Sequence, residues 1–279
     1  MRSRAHVPAV VGQAAIALSS LAAAVLAPAI SHAQEISDEW QFGATIYGWL
    51  PDISGTVVFP SGAESSIGVD ISTILDHLKM TAQGSFEVQK GRWGAYTDII
   101  YLDVGESNSQ TRGITIGDVA LPASVTAAVD LDMKTTLWTL GGSYRVASEP
   151  ASTFDVLAGV RLADLQQNLN WEFTGDFGSV APPPRTGSRS VSADNWDVIV
   201  GVKGRFGFGA DHKWIVPYYF DVGTGDSDLT LQGVLGLGYV FGWGELGVAW
   251  RYMEYEFESG NPIKDVDFSG PALGATFRW

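Results

Sequence analysis

Three side chains in the segment 70–79, DISTILDHLK, have the types that nucleophilic hydrolysis requires. A serine hydroxyl becomes a nucleophile when a histidine takes its proton and an acid orients that histidine. Ser72, His77 and Asp76 supply one of each, which at an outer surface would suit a lipid hydrolase. The only other histidine after residue 33 is His212, far along the chain. We therefore predict that the chain is not an enzyme, and we keep the lipid hydrolase as a second alternative.

Metal and cofactor motifs are incomplete wherever they begin. The stretch 265–270, DVDFSG, starts like a calcium-binding loop with Asp265 and Asp267. Its twelfth position is Thr276, where an EF-hand needs a glutamate. The short GFG and GLG stretches lack the strand, turn and helix around a phosphate-binding loop. We predict no catalytic, cofactor-binding or metal-binding residue, and no cofactor.

Charges of both signs recur instead inside segments that alternate between apolar and polar residues. Successive side chains of a strand point to opposite faces of a sheet, so these charges share a face opposite an apolar one. An arginine or lysine facing the middle of a bilayer costs about 2–4 kcal/mol. We therefore predict that nine charges face the lumen of a closed barrel: Glu87, Asp98, Arg161, Asp197, Lys203, Arg205, Asp221, Arg251 and Arg278.

The bulk composition indicates which class of protein would carry such segments. The 279-residue chain has a formal net charge of −14 and no cysteine, which argues against nucleic-acid binding and excludes disulfides. Hydrophobic residues make up 46 % and aromatic residues 11 % of the chain, with 33 glycines. After residue 33 no apolar run is long enough for a helical membrane span. Apolar residues that alternate with polar ones, instead of forming long runs, are typical of an outer-membrane β-barrel of a Gram-negative bacterium.

The amino-terminal end has the pattern of a secretory signal peptide. Arg2 and Arg4 precede an apolar run over 7–30, and small residues stand at 31 and 33. A basic start, a hydrophobic stretch and small residues before the cleavage site characterise such leaders. We predict a signal peptide at 1–33 and one barrel domain at 34–279, with an uncleaved membrane anchor as the alternative for the leader.

Alternating segments of about ten residues, the length of a tilted strand that crosses a bilayer, can be counted along the chain. Ten are found, at 40–50, 79–89, 92–104, 130–147, 153–170, 195–208, 213–223, 228–241, 245–257 and 270–279. The fold class predicted is therefore all-β, an antiparallel up-and-down transmembrane barrel of ten strands, with twelve or eight as alternatives. An even number lets the edge strands pair and leaves no unsatisfied edge in hydrocarbon.

The connections between these segments alternate in length. Short ones lie near 90–91, 148–151, 207–212 and 242–244, and most of the others are longer, at 51–78, 105–129, 171–194 and 258–266. Such alternation is typical of barrels with short periplasmic turns and longer external loops.

Five segments depart from the simple pattern. We predict that 53–59 and 64–70 form either a hairpin in the first external loop or two more membrane strands. The segment 70–79 has helical spacing, with Ser72 as a candidate cap, and a helix there would lie over the barrel mouth or at the membrane rim. The face change in 130–147 predicts a bulge near 135–138. We interpret 181–190, APPPRTGSRS, as a loop.

Aromatic residues lie near the ends of many segments. In a membrane barrel such residues form two girdles, because their rings suit the acyl region and their polar edges suit the headgroups. A soluble β-sandwich would instead bury them in its core, and we weigh that alternative as weaker. The girdle predicted here includes Trp40, Trp93, Trp196, Trp214 and Trp250, and also Trp49.

Four stretches carry a resemblance to a known class of proteins. They are WQFGATIYGWLPDISGTV, DISTILDHLKMTAQGSFEVQKGRWGAYTDIIYLDV, DVLAGVRL and GPALGATFRW. The chain resembles poorly characterised proteobacterial outer-membrane β-barrel proteins, of the OmpA-like or porin-like transmembrane type. The resemblance implies insertion by the outer-membrane assembly machinery, which is thought to read an aromatic residue at the end of the last strand. Phe277 and Trp279 would form that assembly signal.

Two non-enzymatic functions remain open for such a barrel. Small barrels are filled by side chains, whereas large ones hold water. We favour a non-enzymatic protein of the outer membrane with a structural or surface-interaction role and a largely filled lumen. The alternative is a narrow porin-like channel for small solutes, with selectivity set by the inward charges. Outer-membrane lipid is the expected partner, and no nucleic acid is expected.

Overall fold

A computed structural model describes residues 36, 38–58, 64–111, 115–116, 119–120, 126–174, 186–209, 211–257 and 263–279. The predicted signal peptide lies outside the described residues, so it stays a prediction. Within the described part, no helix is long and apolar enough to cross a membrane.

Strands account for nearly all of the regular structure. In chain order the elements are β1 (Trp40–Trp49), β2 (Asp52–Val58), β3 (Glu64–Val69), α1 (Ile71–His77), β4 (Leu78–Lys90), β5 (Trp93–Thr111), β6 (Thr115–Ile116), β7 (Val119–Ala120), β8 (Thr126–Glu149), β9 (Ser152–Thr174), β10 (Thr186–Phe208), β11 (Trp214–Gly225), β12 (Ser227–Val240), β13 (Glu245–Phe257) and β14 (Ile263–Arg278).

Ten of these strands form a closed antiparallel barrel. Each pairs with the next in the order β1, β4, β5, β8, β9, β10, β11, β12, β13 and β14. β1 then pairs with β14, from Gly43↔Arg278 to Trp49↔Ala272, which closes the wall. The prediction of a ten-stranded up-and-down barrel is confirmed, and the alternatives of twelve and eight strands are wrong.

The period of two along each strand separates the wall into two faces. Apolar side chains such as Ile46, 70 % exposed, and Leu273, 64 % exposed, point outward. Charged side chains such as Arg161, 0 % exposed, point inward. The outside of the barrel is therefore apolar and its inside is largely polar, the reverse of a soluble domain.

Short turns gather at one end of the barrel, which we call the turn end. β4–β5, β8–β9, β10–β11 and β12–β13 are joined there, and β1 begins and β14 ends there. Gly91 and Gly209 take the left-handed backbone (φ 57° and 86°) that these tight turns need. The opposite end, the loop end, carries most of the longer connections, as the sequence predicts.

The described residues of the first long connection form two strands and a helix. β2 pairs with β14 beyond the end of β1, and β3 pairs back on β2, so the predicted hairpin is confirmed and its two strands add nothing to the barrel count. α1 follows at once. Its N-cap is Asp70, so the prediction that Ser72 caps the helix is wrong, because the helix begins before that residue.

β8, β9 and β10 run further toward the loop end than the sequence predicts. β8 and β9 pair as far as Thr126↔Thr174, and β9 and β10 as far as Thr186↔Glu172. Parts of the predicted loops 105–129, 171–194 and 181–190 are therefore strand. Alternation fades there because both faces of the wall are free to be polar outside lipid, whereas backbone pairing continues.

The bulge predicted near 135–138 is absent. β8 pairs without interruption through this region, including Ile99↔Trp138 and Trp138↔Leu162. Its ladders shift register elsewhere, at Val104/Ser107 against β5 and at Arg145/Ala147 against β9. The pattern changes because Met133 and Leu137 are apolar yet point inward, both nearly fully buried. They belong to an apolar layer of the lumen rather than to the lipid face.

Candidate functional site

The barrel lumen is the candidate site, and its turn-end layer is a chain of alternating charges. Lys203 Nζ lies 2.7 Å from one carboxylate oxygen of Glu87, and Arg278 lies 3.0 Å from the other. Arg278 also contacts Glu245 at 2.8 Å, and Arg205 contacts the same carboxylate at 2.6 Å. These five residues come from four strands, so only the closed barrel brings them together.

A cavity of about 690 Å³ lies in this half of the lumen. Its walls include the turn-end charges and a separate fork-to-fork pair, in which Arg145 donates to Asp155 at 2.8 and 3.1 Å. Tyr47 and Arg251 line its inner limit. The charged side chains in its mixed lining make this a chamber that water can fill.

The middle of the lumen holds two further ion-pair clusters. In the first, Arg251 donates to Asp98 at 2.8 Å, to Gln232 at 2.9 Å and to the hydroxyl of Tyr47 at 2.9 Å. Tyr47 in turn donates to Asp98 at 2.7 Å. The carboxylate, the hydroxyl and the carboxamide accept bonds from the two terminal nitrogens of this buried guanidinium, and a carboxylate partner is what a buried cation requires. Its Nε is buried without a hydrogen-bond partner among the described residues.

The second cluster is completely enclosed. Arg161 pairs with Asp221, and both side chains are 0 % exposed. The guanidinium also donates to Thr230 at 3.2 Å and to Thr139 at 3.3 Å. Asp197, also buried, accepts bonds from the backbone N–H and the hydroxyl of Ser227 at 3.0 and 2.9 Å. Its recorded hydrogen-bond partner is thus a serine rather than a cation.

Toward the loop end the lumen changes to an apolar layer. One cluster of buried residues, which we call the apolar plug, comes from β1, β2, α1, β5, β8, β9, β13 and β14: Trp49, Ile53, Ile74, Ile100, Leu102, Val104, Met133, Leu137, Ala163, Leu165, Met253, Tyr255, Phe257, Val266 and Phe268. Ile74 of α1 is 0 % exposed. The helix therefore helps to close the lumen from inside.

Trp49 corrects a prediction about the aromatic girdle. It is 1 % exposed, it donates from Nε1 to the carbonyl of Gly270 at 3.2 Å, and Arg251 lies over its ring at 5.0 Å. It faces the lumen because it has the same parity on β1 as Thr45 and Tyr47, which line the lumen cavity. Trp49 thus links the apolar plug to the ion pairs below it.

The other five tryptophans of the predicted girdle point outward. Trp40, Trp93, Trp196, Trp214 and Trp250 are all well exposed on the outside of the wall. This is where a membrane would meet them.

The carboxyl-terminal residues lie at the closing seam. Trp279 stacks on Phe42 of β1 with ring centroids 5.9 Å apart and contacts Phe86 of β4 at 6.4 Å. Its backbone exchanges two hydrogen bonds with Phe42, at 2.8 and 3.1 Å. Phe277 packs on Trp243 at 5.5 Å. The last residue is therefore ordered and joins both ends of the barrel sheet.

The residues considered for hydrolysis do not form a site in the described structure. His77 ends α1 at the loop end, and His212 lies in the β10–β11 turn at the turn end. No described hydrogen bond joins His77 to Ser72 or Asp76. Among the residues that the structure describes, no group of three or more His, Asp or Glu side chains could hold a metal ion.

The nine predicted lumen charges all point inward, but the sequence reasoning leaves out several of their partners. Arg145, Asp155 and Glu245 are buried or half-buried members of the ion pairs, and Tyr47 bridges Arg251 and Asp98. Asp155 lies an even number of residues from Arg161 on the same strand, so its inward direction could have been predicted from the sequence. Glu245 gives a weaker signal, because it is the first residue of its strand.

Comparison with known proteins shows the fold and no more. No protein-family model and no curated protein matches the chain. Among solved structures, the outer membrane protease OmpT from Escherichia coli is similar with a TM-score of 0.52 and 10 % identity, over 87 % of this chain and 97 % of that one. The translocator domain of the autotransporter NalP from Neisseria meningitidis has a TM-score of 0.40 at 15 % identity, over 95 % of each chain. The fold is that of an outer-membrane β-barrel.

Proposed function

We propose that this protein is an integral outer-membrane barrel with an axially closed lumen and a structural or surface-interaction role. Outer-membrane lipid covers its apolar wall, and the short turns face the periplasm. The exposed aromatic and aliphatic belt supports this placement, because an apolar surface of this size would not remain in water. Insertion by the outer-membrane assembly machinery, with Phe277 and Trp279 as its signal, is part of the proposal.

The apolar plug is the single observation on which the proposal of a closed lumen rests. Its members come from strands around most of the wall, and α1 adds Ile74 from inside. Beneath it the Arg161–Asp221 pair is fully buried. Ions would have to cross both a dry layer and a fixed ion-pair layer, and hydrophobic constrictions block ions by excluding water.

The loop-end extension supports a surface role. β8, β9 and β10 have 24, 23 and 23 residues, whereas a tilted strand crosses a bilayer in about 9–11. The excess forms a paired wall outside the membrane. Such a rigid wall offers a surface to other molecules at the cell exterior.

The channel alternative is favoured by one observation, the polar cavity of about 690 Å³ at the turn end. Planar-bilayer recording of the purified protein separates the two functions. The closed barrel should give no discrete conductance, whereas Met253→Ser, which places a hydroxyl in the apolar plug, should give brief openings. Leu273→Ser, on the outer wall, is the matched control and should stay silent. Stable unitary currents from the wild type would favour the channel.

We also propose that the protein is not an enzyme. The described residues around His77 provide no base oriented toward a hydroxyl. Lipase and protease assays on the purified protein should give no activity above buffer. An activity that His77→Ala abolishes would overturn this part of the proposal.

A further inference from the structure

One stretch of the barrel wall lacks backbone pairing on one side. β1 and β4 pair from Trp40↔Lys90 to Ile46↔Gly84, and the ladder then ends, although β1 continues to Trp49 and β4 begins at Leu78. Beyond this point β1 and β2 follow β14 instead. β3 covers the other side of β2, and within the described residues no ladder joins β3 to β4. The stretch 78–83 of β4 is therefore paired with β5 alone.

A side chain takes the place of the missing ladder. The backbone N–H of Trp49 donates to Oε1 of Gln83 at 2.6 Å, and Nε2 of Gln83 donates to the carbonyl of Trp49 at 3.0 Å. In an antiparallel sheet two facing residues exchange the same pair of bonds through their peptide groups. A carboxamide has one donor and one acceptor group, so Gln83 mimics a strand. Two bonds from one flexible side chain close this break.

The depth of the break follows from counting along β4. A tilted strand crosses a bilayer in about 9–11 residues, and from Lys90 at the turn end Gln83 is the eighth residue and Met80 the eleventh. The break therefore lies in the outer-leaflet half of the hydrocarbon. Ile46 and Met80, outside it, are 70 % and 57 % exposed. A Cβ added at Gly48 would meet nothing within 4 Å, so no described side chain lies against the outer face of the wall at Gly48.

The inner side of the break leads to the apolar plug rather than to the charged layer. Trp49 belongs to the plug, and Leu78, where β4 begins, packs against it. α1 immediately precedes Leu78 and places Ile74 in the same plug. A molecule that passed between β1 and β4 at this depth would thus meet apolar side chains on both sides of the wall.

We propose that this break is a lateral port for the acyl chain of an outer-leaflet lipid. When the Gln83 carboxamide releases Trp49, β1 and β4 separate above Gly84, and an acyl chain enters to contact the apolar plug. The occupant is an acyl chain because acyl chains are what surrounds the wall at this depth, and because the path is apolar at both ends. The acyl chain enters through the side of the wall and does not travel along the barrel axis. The port is therefore compatible with the proposed closed lumen and adds a binding role to it.

Photolabelling tests the port directly in the intact barrel. Wild-type protein is reconstituted in phosphatidylcholine vesicles that contain a trace of a phospholipid with a diazirine near the end of its acyl chain. After illumination, mass spectrometry maps the labelled residues. We expect label at Trp49 and Ile74 above that at Ile199, which is equally buried and faces the lumen behind continuous ladders on both sides. Equal label at Ile74 and Ile199 of the wild-type protein, or no label at either residue, would by itself overturn the port.

Variants of β4 test the role of the carboxamide. Gln83→Ala should raise the label at Ile74 about tenfold, the population shift expected when two hydrogen bonds are lost. Gln83→Asn, whose shorter carboxamide cannot reach Trp49, should behave alike. Gln89→Ala is the matched control, because Gln89 lies on the same strand where the ladder with β1 is intact. Heat-modifiable gel migration confirms folding. Equal labelling of folded Gln83→Ala and Gln89→Ala proteins would refute the mechanism.

Discussion

The buried pair Arg161–Asp221 gives the sharpest test of how the lumen is stabilised. Both side chains are 0 % exposed, so Asp221→Ala leaves an enclosed guanidinium whose remaining hydrogen-bond partners, among the residues that the structure describes, are Thr139 and Thr230. Removing one partner of a buried ion pair costs about 3–5 kcal/mol. Since about 1.4 kcal/mol is a factor of ten, the unfolding equilibrium should shift by more than a hundredfold.

The double variant makes the prediction specific to the unpaired charge. Replacing a buried ion pair by apolar residues of similar volume is often neutral or stabilising. Arg161→Met combined with Asp221→Ala should therefore be more stable than Asp221→Ala alone. Asp132→Ala is the control, because its partner Lys79 lies 3.4 Å away and is 53 % exposed. Such an exposed pair contributes about 0–1 kcal/mol.

The measurement is a urea titration of the protein in phospholipid vesicles. Tryptophan fluorescence reports unfolding, and heat-modifiable gel migration reports the folded fraction in parallel. A loss below about 1 kcal/mol for Asp221→Ala, within the range of an exposed pair, would refute the reasoning. The single variants Asp221→Ala and Arg161→Met are measured beside the double variant. If the loss in free energy of unfolding of the double variant equals the sum of the two single losses, the reasoning is refuted equally, because the charges would then act independently.

Two further predictions concern the ends of β14. Asp267 is the thirteenth residue from the carboxyl terminus, beyond the membrane-spanning part, and burial, together with Glu254 and Asp265, raises the pKa of its carboxyl. The folded state then binds a proton more tightly than the unfolded state, so the free energy of unfolding should fall as pH rises from about 3.9 through the raised pKa. Urea midpoints between pH 4 and 7 should show a smaller fall in Asp267→Asn, and an unchanged slope would contradict this assignment. Deleting 277–279 should lower outer-membrane insertion, measured by fractionation, far more than deleting 181–183, because the Trp279 contacts with the seam are lost; equal losses would argue against an assembly signal at this end.

Much of the wall could be predicted from the sequence, and the reason is local. Each strand has a side-chain period of two that its own backbone imposes, so Leu273 and Arg278 can be assigned to opposite faces without knowing any neighbour. Turn glycines such as Gly91 mark the short connections for the same local reason. The strand number follows from these two signals together.

The loop-end half of the lumen could not be predicted in this way. Met133 and Leu137 carry the same apolar signal as an outward residue such as Leu140 on the same strand, so both faces of β8 are apolar here and the alternation no longer distinguishes them. Trp49 is similar, since a tryptophan near a strand end usually indicates a girdle. Its place in the plug depends on Gly270 and Arg251, which lie more than 200 residues away in the chain.

By itself the sequence determines an all-β barrel with an apolar outside and a charged inside, because alternation is a property of each strand alone. The tertiary structure decides which charges meet, since Glu87 and Arg278 become neighbours only when β14 closes on β1. It also decides where the wall is weak. Gln83 looks like any inward polar residue of β4, and its role arises only because β1 turns away to follow β14 and leaves Trp49 without a strand to pair with.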